Sequence, residues 1–137
     1  LEAGASITVF SGHGAPSTWS FKGLLKQQDI AGIQNTGKPT LALPLTCYTT
    51  YAESPYTSSL AHQLMAAGQN AAVAVYGAAT LSSFSHNSEM GKRVISGLLE
   101  DQTLGESILN GKLDLNSSYR DVILNSNLLG DVTLKLQ

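Results

Sequence analysis

The sequence predicts an α/β domain built on a mainly parallel sheet with helices on its faces. Three observations carry that reading. Short, continuous apolar runs occur at residues 5–10, 40–46 and 71–76. Stretches with helical apolar spacing follow the second and third runs, and Gly and Pro separate the segments. Strand, loop, strand, helix, strand, helix is the order in which crossover connections lay down parallel strands.

The first run, residues 5–10, has a β-branched centre and closes on Ser11-Gly12-His13-Gly14, a strand feeding a tight loop. Residues 15–26 open with Pro16 and lead through Trp19, Phe21, Leu24 and Leu25 towards a short helix near 22–28. Asn35-Thr36-Gly37-Lys38-Pro39 is a turn, and 40–46 is the second strand, with Pro44 marking an irregularity just before Cys47. Residues 48–56 form a polar loop rich in Tyr and Thr. Residues 58–67 place Leu60, Ala61, Leu64 and Met65 at helical spacing and stop at Gly68.

Residues 71–76 read as a third buried strand and 77–88 as a small-residue loop. Residues 89–99 carry Met90, Val94, Ile95, Leu98 and Leu99 along one side of a helix. A further helix spans 103–111, with Thr103 and Glu106 in capping-box spacing. Asn127-Leu128-Leu129-Gly130-Asp131 reads as a turn, with Val132, Leu134 and Leu136 alternating in a half-buried strand after it. Only three central strands are visible and the first starts almost at residue 1. The chain, residues 1–137, is therefore expected to be the carboxyl-terminal portion of a single larger α/β domain.

Charged residues make up 13% of the chain, against about 25% in an ordinary domain. The surface must be carried by Ser, Thr, Asn, Gln and Gly, which suits a secreted or cell-envelope protein, or a piece that normally packs against more protein. A net charge of -2 gives no electrostatic case for nucleic acid or an anionic membrane surface. No apolar run approaches the ~20 residues of a membrane span, and Leu1-Glu2-Ala3-Gly4 lacks the basic start and apolar core of a signal peptide. His13, His62 and His86 lack zinc spacing with Cys47, and Asp101, Asp114, Asp121 and Asp131 are scattered rather than set in a calcium loop. Neither a metal nor a cofactor is expected.

Chemistry concentrates at two strand ends. His13 follows the first strand and Cys47, the single cysteine, follows the second. In parallel sheets, function gathers at the carboxyl ends of strands. A thiolate attacks an acyl carbon far better than a thiol, so it needs a base or cation beside it, and a histidine on the next strand end supplies both. Gly14 lacks a β-carbon, so a substrate carbonyl could approach its N–H, which with the Cys47 N–H would form an oxyanion hole. The plainer account is a core cysteine beside an ordinary Gly-His-Gly turn.

Several segments together resemble the gingipain-type cysteine peptidases of the wider caspase-like clan. Ser11-Gly12-His13-Gly14 with Trp19 resembles that family's histidine segment, and Leu45-Thr46-Cys47 its nucleophile strand end. Ser58-Ser59-Leu60-Ala61-His62-Gln63-Leu64 resembles the helix after the cysteine, and 71–78 the Ala-Val-Ala-x-x-Gly-Ala strand. Thr103-Leu104-Gly105-Glu106 resembles the family's late helix, and Asn127-Leu128-Leu129-Gly130-Asp131 its closing segment, the most distinctive element.

The resemblance implies a caspase-like fold, incomplete at its amino-terminal side, in a bacterial protein. It implies peptide-bond hydrolysis by a His13–Cys47 dyad with Gly14 and Cys47 as the oxyanion hole. Thr80, Ser82, Ser83 and Phe84 would then line the primary specificity pocket, beside Gly12. Trp19 would either wall the site or pack under its loop. The implied partners are a polypeptide substrate and the amino-terminal half of the same domain, which would hold the group that orients the histidine. The departures are a cysteine loop without its usual glycine, His62 and Gln63 where Glu is common, and Val132 in place of Pro. They leave as the alternative a catalytically inactive relative that serves as an interaction domain.

Overall fold

The element order follows from where the apolar runs are buried. A computed structural model describes residues 1, 4–53 and 55–136. The strands are β1 (Ile7–Ser11), β2 (Gly14–Ala15), β3 (Thr18–Trp19), β4 (Leu25–Lys26), β5 (Thr40–Leu45), β6 (Ala72–Ala78) and β7 (Ser126–Gly130). The helices are α1 (Gln27–Ile30), α2 (Leu60–Ala66), α3 (Phe84–Leu99), α4 (Leu104–Leu113) and α5 (Arg120–Asn125), with a 3-10 turn at Ser117–Tyr119.

The central sheet has the order β1-β5-β6-β7. β1, β5 and β6 are parallel, and β7 returns antiparallel along β6. Side chains alternate across β5: Leu41 and Leu43 face one core, Ala42 the other. The first core is filled from α3 and α4 by Met90, Val94, Leu98, Leu104 and Ile108. The second is filled by Trp19, Ile30, Ile33, Leu60, Ala61 and Leu64, from the β2–β4 hairpins, α1 and α2. Helices on both faces thus bury β5 and most of β6, the architecture expected of continuous apolar runs, while β1 stays partly exposed.

Local chemistry sets the helix ends. Ser59 caps α2 by accepting a hydrogen bond from the His62 N–H. Thr103 and Glu106 close a reciprocal capping box on α4, as their spacing predicts. The α4 amino end gains two more acceptors from the chain terminus. The Leu104 N–H donates to the Leu134 carbonyl at 2.7 Å, and the Gly105 N–H to the Val132 carbonyl at 2.8 Å.

That docking corrects the reading of the last segment. Asn127 to Gly130 is a strand rather than a turn, and 131–136 is not a strand. β6 offers an open edge, and Leu128 and Leu129 feed opposite cores from β7. Asp131 then turns the chain by accepting from the N–H and hydroxyl of Thr133.

Two further expectations shift. The helix expected at 89–99 begins at Phe84, because the Ser-rich stretch before it is held by side chains rather than left as a loop. The helix expected near 22–28 is a short strand, β4, followed by the single turn of α1. Pro44 stays within β5, while the β5–β6 pairing runs from Thr40 to Ala42 and contains a bulge at Thr40/Leu41. Pro44 packs on Gly77, where a Cβ would stand 3.0 Å from the proline ring. β1 lies at the sheet edge, with β5 as its one strand neighbour among the described residues.

Candidate active site

The parallel register brings the two predicted reactive residues to one end of the sheet. Ser11 pairs with Leu45 at the last rung between β1 and β5. His13 and Cys47 each lie two residues beyond that rung. The chains stay together past it: a Cβ on Gly14 would stand 2.7 Å from the Thr46 Oγ1, 2.8 Å from its Cγ2 and 3.2 Å from the Cys47 carbonyl oxygen. Gly14 is thus required by contact with the end of β5 and the residues after it, a reason beyond the substrate access inferred from sequence.

A small hairpin fixes the His13 side. Gly14 pairs with Trp19 between β2 and β3. The Ser20 N–H donates to the His13 carbonyl at 2.7 Å, with Ser20 in the left-handed region at φ 65°. Trp19 is buried beneath and stacks on Phe10, ring centroids 5.1 Å apart and planes at 1°. Gly12 rests on the same Phe10 ring, which would stand 3.1 Å from a Cβ. The imidazole of His13 is exposed and stacks on Phe21 at 4.9 Å. Phe10, Ser11, Gly12, His13, Ser20 and Phe21 line an open cleft of about 310 Å³ with Lys22.

The loop after Cys47 is stitched to the end of β6. Tyr48 takes a left-handed turn at φ 58°, its N–H donating to the Thr80 carbonyl at 3.2 Å. The Thr50 N–H donates to the Ala78 carbonyl, and its hydroxyl to the Gly77 carbonyl at 2.9 Å. This brings residues 79–83 over Cys47. The half-buried sulfur lies 3.4 Å from the Ser82 carbonyl oxygen, 3.5 Å from the Ser82 N and 3.9 Å from its Oγ. Among the described residues no hydrogen bond joins Cys47 to His13. Thr80 lies half-buried next to this contact, and Ser83 and Phe84 are exposed.

Sequence reasoning missed a second set of residues behind this loop. The His86 Nδ1 lies 2.7 Å from the Asp121 Oδ1, and the Ser83 N–H donates to the Asp121 Oδ2 at 2.7 Å. Tyr119 lies against the His86 ring, centroids 4.6 Å apart. Buried Asn87 donates to the Ser82 hydroxyl at 2.7 Å. Partial burial raises the Asp121 pKa, but the hydrogen bonds from Ser83, His86 and Val122 outweigh it and hold the carboxyl below the usual aspartate range. No sequence signal links His86 to Asp121, which come together only when α5 packs on α3.

His62 takes no part in this arrangement. It bonds Ser59 at 2.7 Å beside a separate polar cleft lined by Tyr51, Pro55 and Tyr56. Among the described residues no cluster of three or more His, Cys, Asp or Glu side chains could hold a metal. No helix among them is long and apolar enough to cross a membrane.

Comparison with solved structures places the fold in a known frame. The chain superposes on the complex of Porphyromonas gingivalis RgpB pro- and mature domains with a TM-score of 0.87 at 15% identity, covering 99% of this chain and 35% of that one. It superposes on the Arg-specific cysteine proteinase gingipain R with a TM-score of 0.81 at 15% identity, covering 99% and 34%. A structure described as a protease gives 0.79 at 16% identity, covering 98% and 36%. The chain thus spans about a third of the length of the structures it matches. No curated protein matches its sequence. The sequence matches Peptidase family C25 over residues 1–137, and with the gingipain fold seen here the chain belongs to that family of cysteine peptidases.

Proposed function

We propose that Cys47 and His13 hydrolyse peptide bonds. The carrying observation is the register: both residues lie two positions beyond the Ser11–Leu45 rung, with Gly14 in contact with Thr46 and Cys47. The Cys47 thiolate attacks the substrate carbonyl carbon, and the Gly14 and Cys47 N–H groups hold the oxygen as it becomes negative. His13 protonates the departing amine, leaving a thioester. It then takes a proton from water, which attacks the thioester, releases the carboxylic acid and restores the thiolate beside a protonated His13. Thr80, Ser82, Ser83 and Phe84 border the substrate side chain, and Gly12 lies along the cleft beside His13. Trp19 supports that loop from below through Phe10. The substrate is a polypeptide. The chain works as the carboxyl-terminal part of a larger catalytic domain, outside the cell or in the envelope of a bacterium.

A second reading, an inactive interaction domain, is favoured by one observation: the sulfur contacts Ser82 while His13 stacks on Phe21. Two measurements decide between them. A nucleophile reacts with iodoacetamide near neutral pH faster than a free thiol does. Turnover of a peptide library by the intact protein, abolished in Cys47→Ala, establishes the peptidase; no turnover leaves the interaction domain.

A further inference from the structure

The loop over Cys47 is held with more care than a substrate wall requires. Ser82 presents three polar atoms to the sulfur: its carbonyl oxygen at 3.4 Å, its N at 3.5 Å and its Oγ at 3.9 Å. These groups act differently on the two forms of the nucleophile. The carbonyl accepts from the neutral thiol. The N–H and O–H donate to the thiolate, which can only accept. The Ser82 hydroxyl accepts from the Asn87 amide at 2.7 Å, which leaves its own proton free to turn towards the sulfur. Asn87 is buried on the first turn of α3, so this contact is anchored in the core rather than in solvent.

The next residue is gripped from the other side. Asp121, at the start of α5, accepts the Ser83 N–H with one oxygen and bonds His86 with the other. His86 belongs to the first turn of α3 and rests on Tyr119. One carboxylate therefore ties the loop, α3 and α5 together, a single residue away from the atoms that touch the sulfur. The titratable groups around the nucleophile are His13 across the strand ends, Tyr48 next in the chain, and the His86–Asp121 pair behind the loop.

We propose that Ser82 stabilises the Cys47 thiolate through its N–H and hydroxyl, and that Asn87 and Asp121 are the positioning residues that hold it there. This rests on Cys47 being the nucleophile. Ser82 then acts on the enzyme's own reacting atom, beyond any contact it makes with a substrate side chain. Asp121 acts at a distance, through the backbone between Ser83 and Ser82.

The test is the pH dependence of Cys47 alkylation by iodoacetamide in the intact protein, with Ser82→Ala, Ser82→Thr, Asp121→Ala and Asp121→Asn. Half a unit in thiolate pKa changes the thiolate fraction on the acid side roughly threefold. Ser82→Ala and Asp121→Ala are expected to move the midpoint up and to slow alkylation on the acid side by about that factor or more. Ser82→Thr keeps the hydroxyl and is expected to retain the wild-type midpoint. Asp121→Asn keeps one acceptor for the Ser83 N–H and is expected to fall between. A depressed wild-type midpoint that none of the variants moves overturns the role of Ser82 and leaves the nucleophile intact. A wild-type midpoint equal to that of a free thiol overturns both readings. The conservative variants separate thiolate stabilisation from loss of fold, because a purely structural defect would not track the hydroxyl.

Discussion

Gly14 lies against Thr46 so closely that a methyl group on the glycine would stand 2.7 Å from the threonine hydroxyl oxygen. Thr46 is almost completely buried, and among the described residues no hydrogen bond holds its hydroxyl. The contact couples the His13 loop to the end of the Cys47 strand through packing alone. Gly14→Ala is therefore expected to push the two strand ends apart, at a cost of about 1–3 kcal/mol. Thr46→Ala removes both clashing side-chain atoms, so the double variant should recover part of that loss. A double-mutant cycle in urea measures the coupling; additive single effects would disprove the contact.

Phe21 stacks on the His13 ring, and it is mostly exposed itself. It contributes little to the core, so its removal should spare stability. Ring stacking is worth about 0.5–1.5 kcal/mol. Phe21→Ala is expected to lower kcat roughly two- to tenfold on that scale. His13→Ala should cost on the order of 10²–10⁴. Steady-state kinetics on a peptide substrate, with melting temperatures alongside, separates the two effects.

Acid stability should report Asp121. Its folded-state pKa is depressed below the ordinary aspartate value, so its contribution is complete above that value and is lost as pH falls through the folded one. Asp121→Asn is expected to flatten the acid limb of the stability curve in that window, read from urea midpoints between pH 5 and the acid transition. An unchanged slope would show that the carboxylate does not favour the folded state.

The alkaline limb should report Tyr76. Burial, opposed by the Ser126 side chain, pushes its phenol above the ordinary tyrosine range. A raised acid pKa supplies stability that is whole below the unfolded value and is lost as pH rises above it. Lys112 lies 6.0 Å above the Tyr76 ring, and burial lowers its pKa. Its effect has the opposite sign, favouring the fold as pH rises towards the unfolded lysine value. Tyr76→Phe should therefore flatten the loss above pH 10, and Lys112→Met should steepen it, measured by denaturant titration across that range.

The sequence made β5 and β6 legible, because a strand buried on both faces must be apolar throughout, as residues 41–43 and 74–76 are, and β1 was legible from its β-branched centre although it is only partly buried. Thr103 and Glu106 were legible because a capping box is a local contact. β7 was not, since Asn127 and Gly130 carry turn chemistry and its pairing depends on β6, some fifty residues earlier. The alternation of Val132, Leu134 and Leu136 misled for a related reason. Leu134 and Leu136 are apolar because they pack on the α3–α4 core, while the carbonyls of Val132 and Leu134 serve α4. At the site, His13 and Cys47 stood out as reactive groups at strand ends. The His86–Asp121 pair could not, because its members are 35 residues apart and lie within unremarkable polar stretches.

β1 has a consequence for how this chain behaves in solution. Its five residues, Ile-Thr-Val-Phe-Ser, carry no charge, no proline and no bulge against β5, and Val9 is about half exposed. A flat, neutral edge presents its backbone N–H and C=O groups as a template for any extended segment. A further extended segment can therefore add to the sheet along β1. A lysine at position 9, on the solvent-facing side of β1, is the single change best suited to blunt that edge.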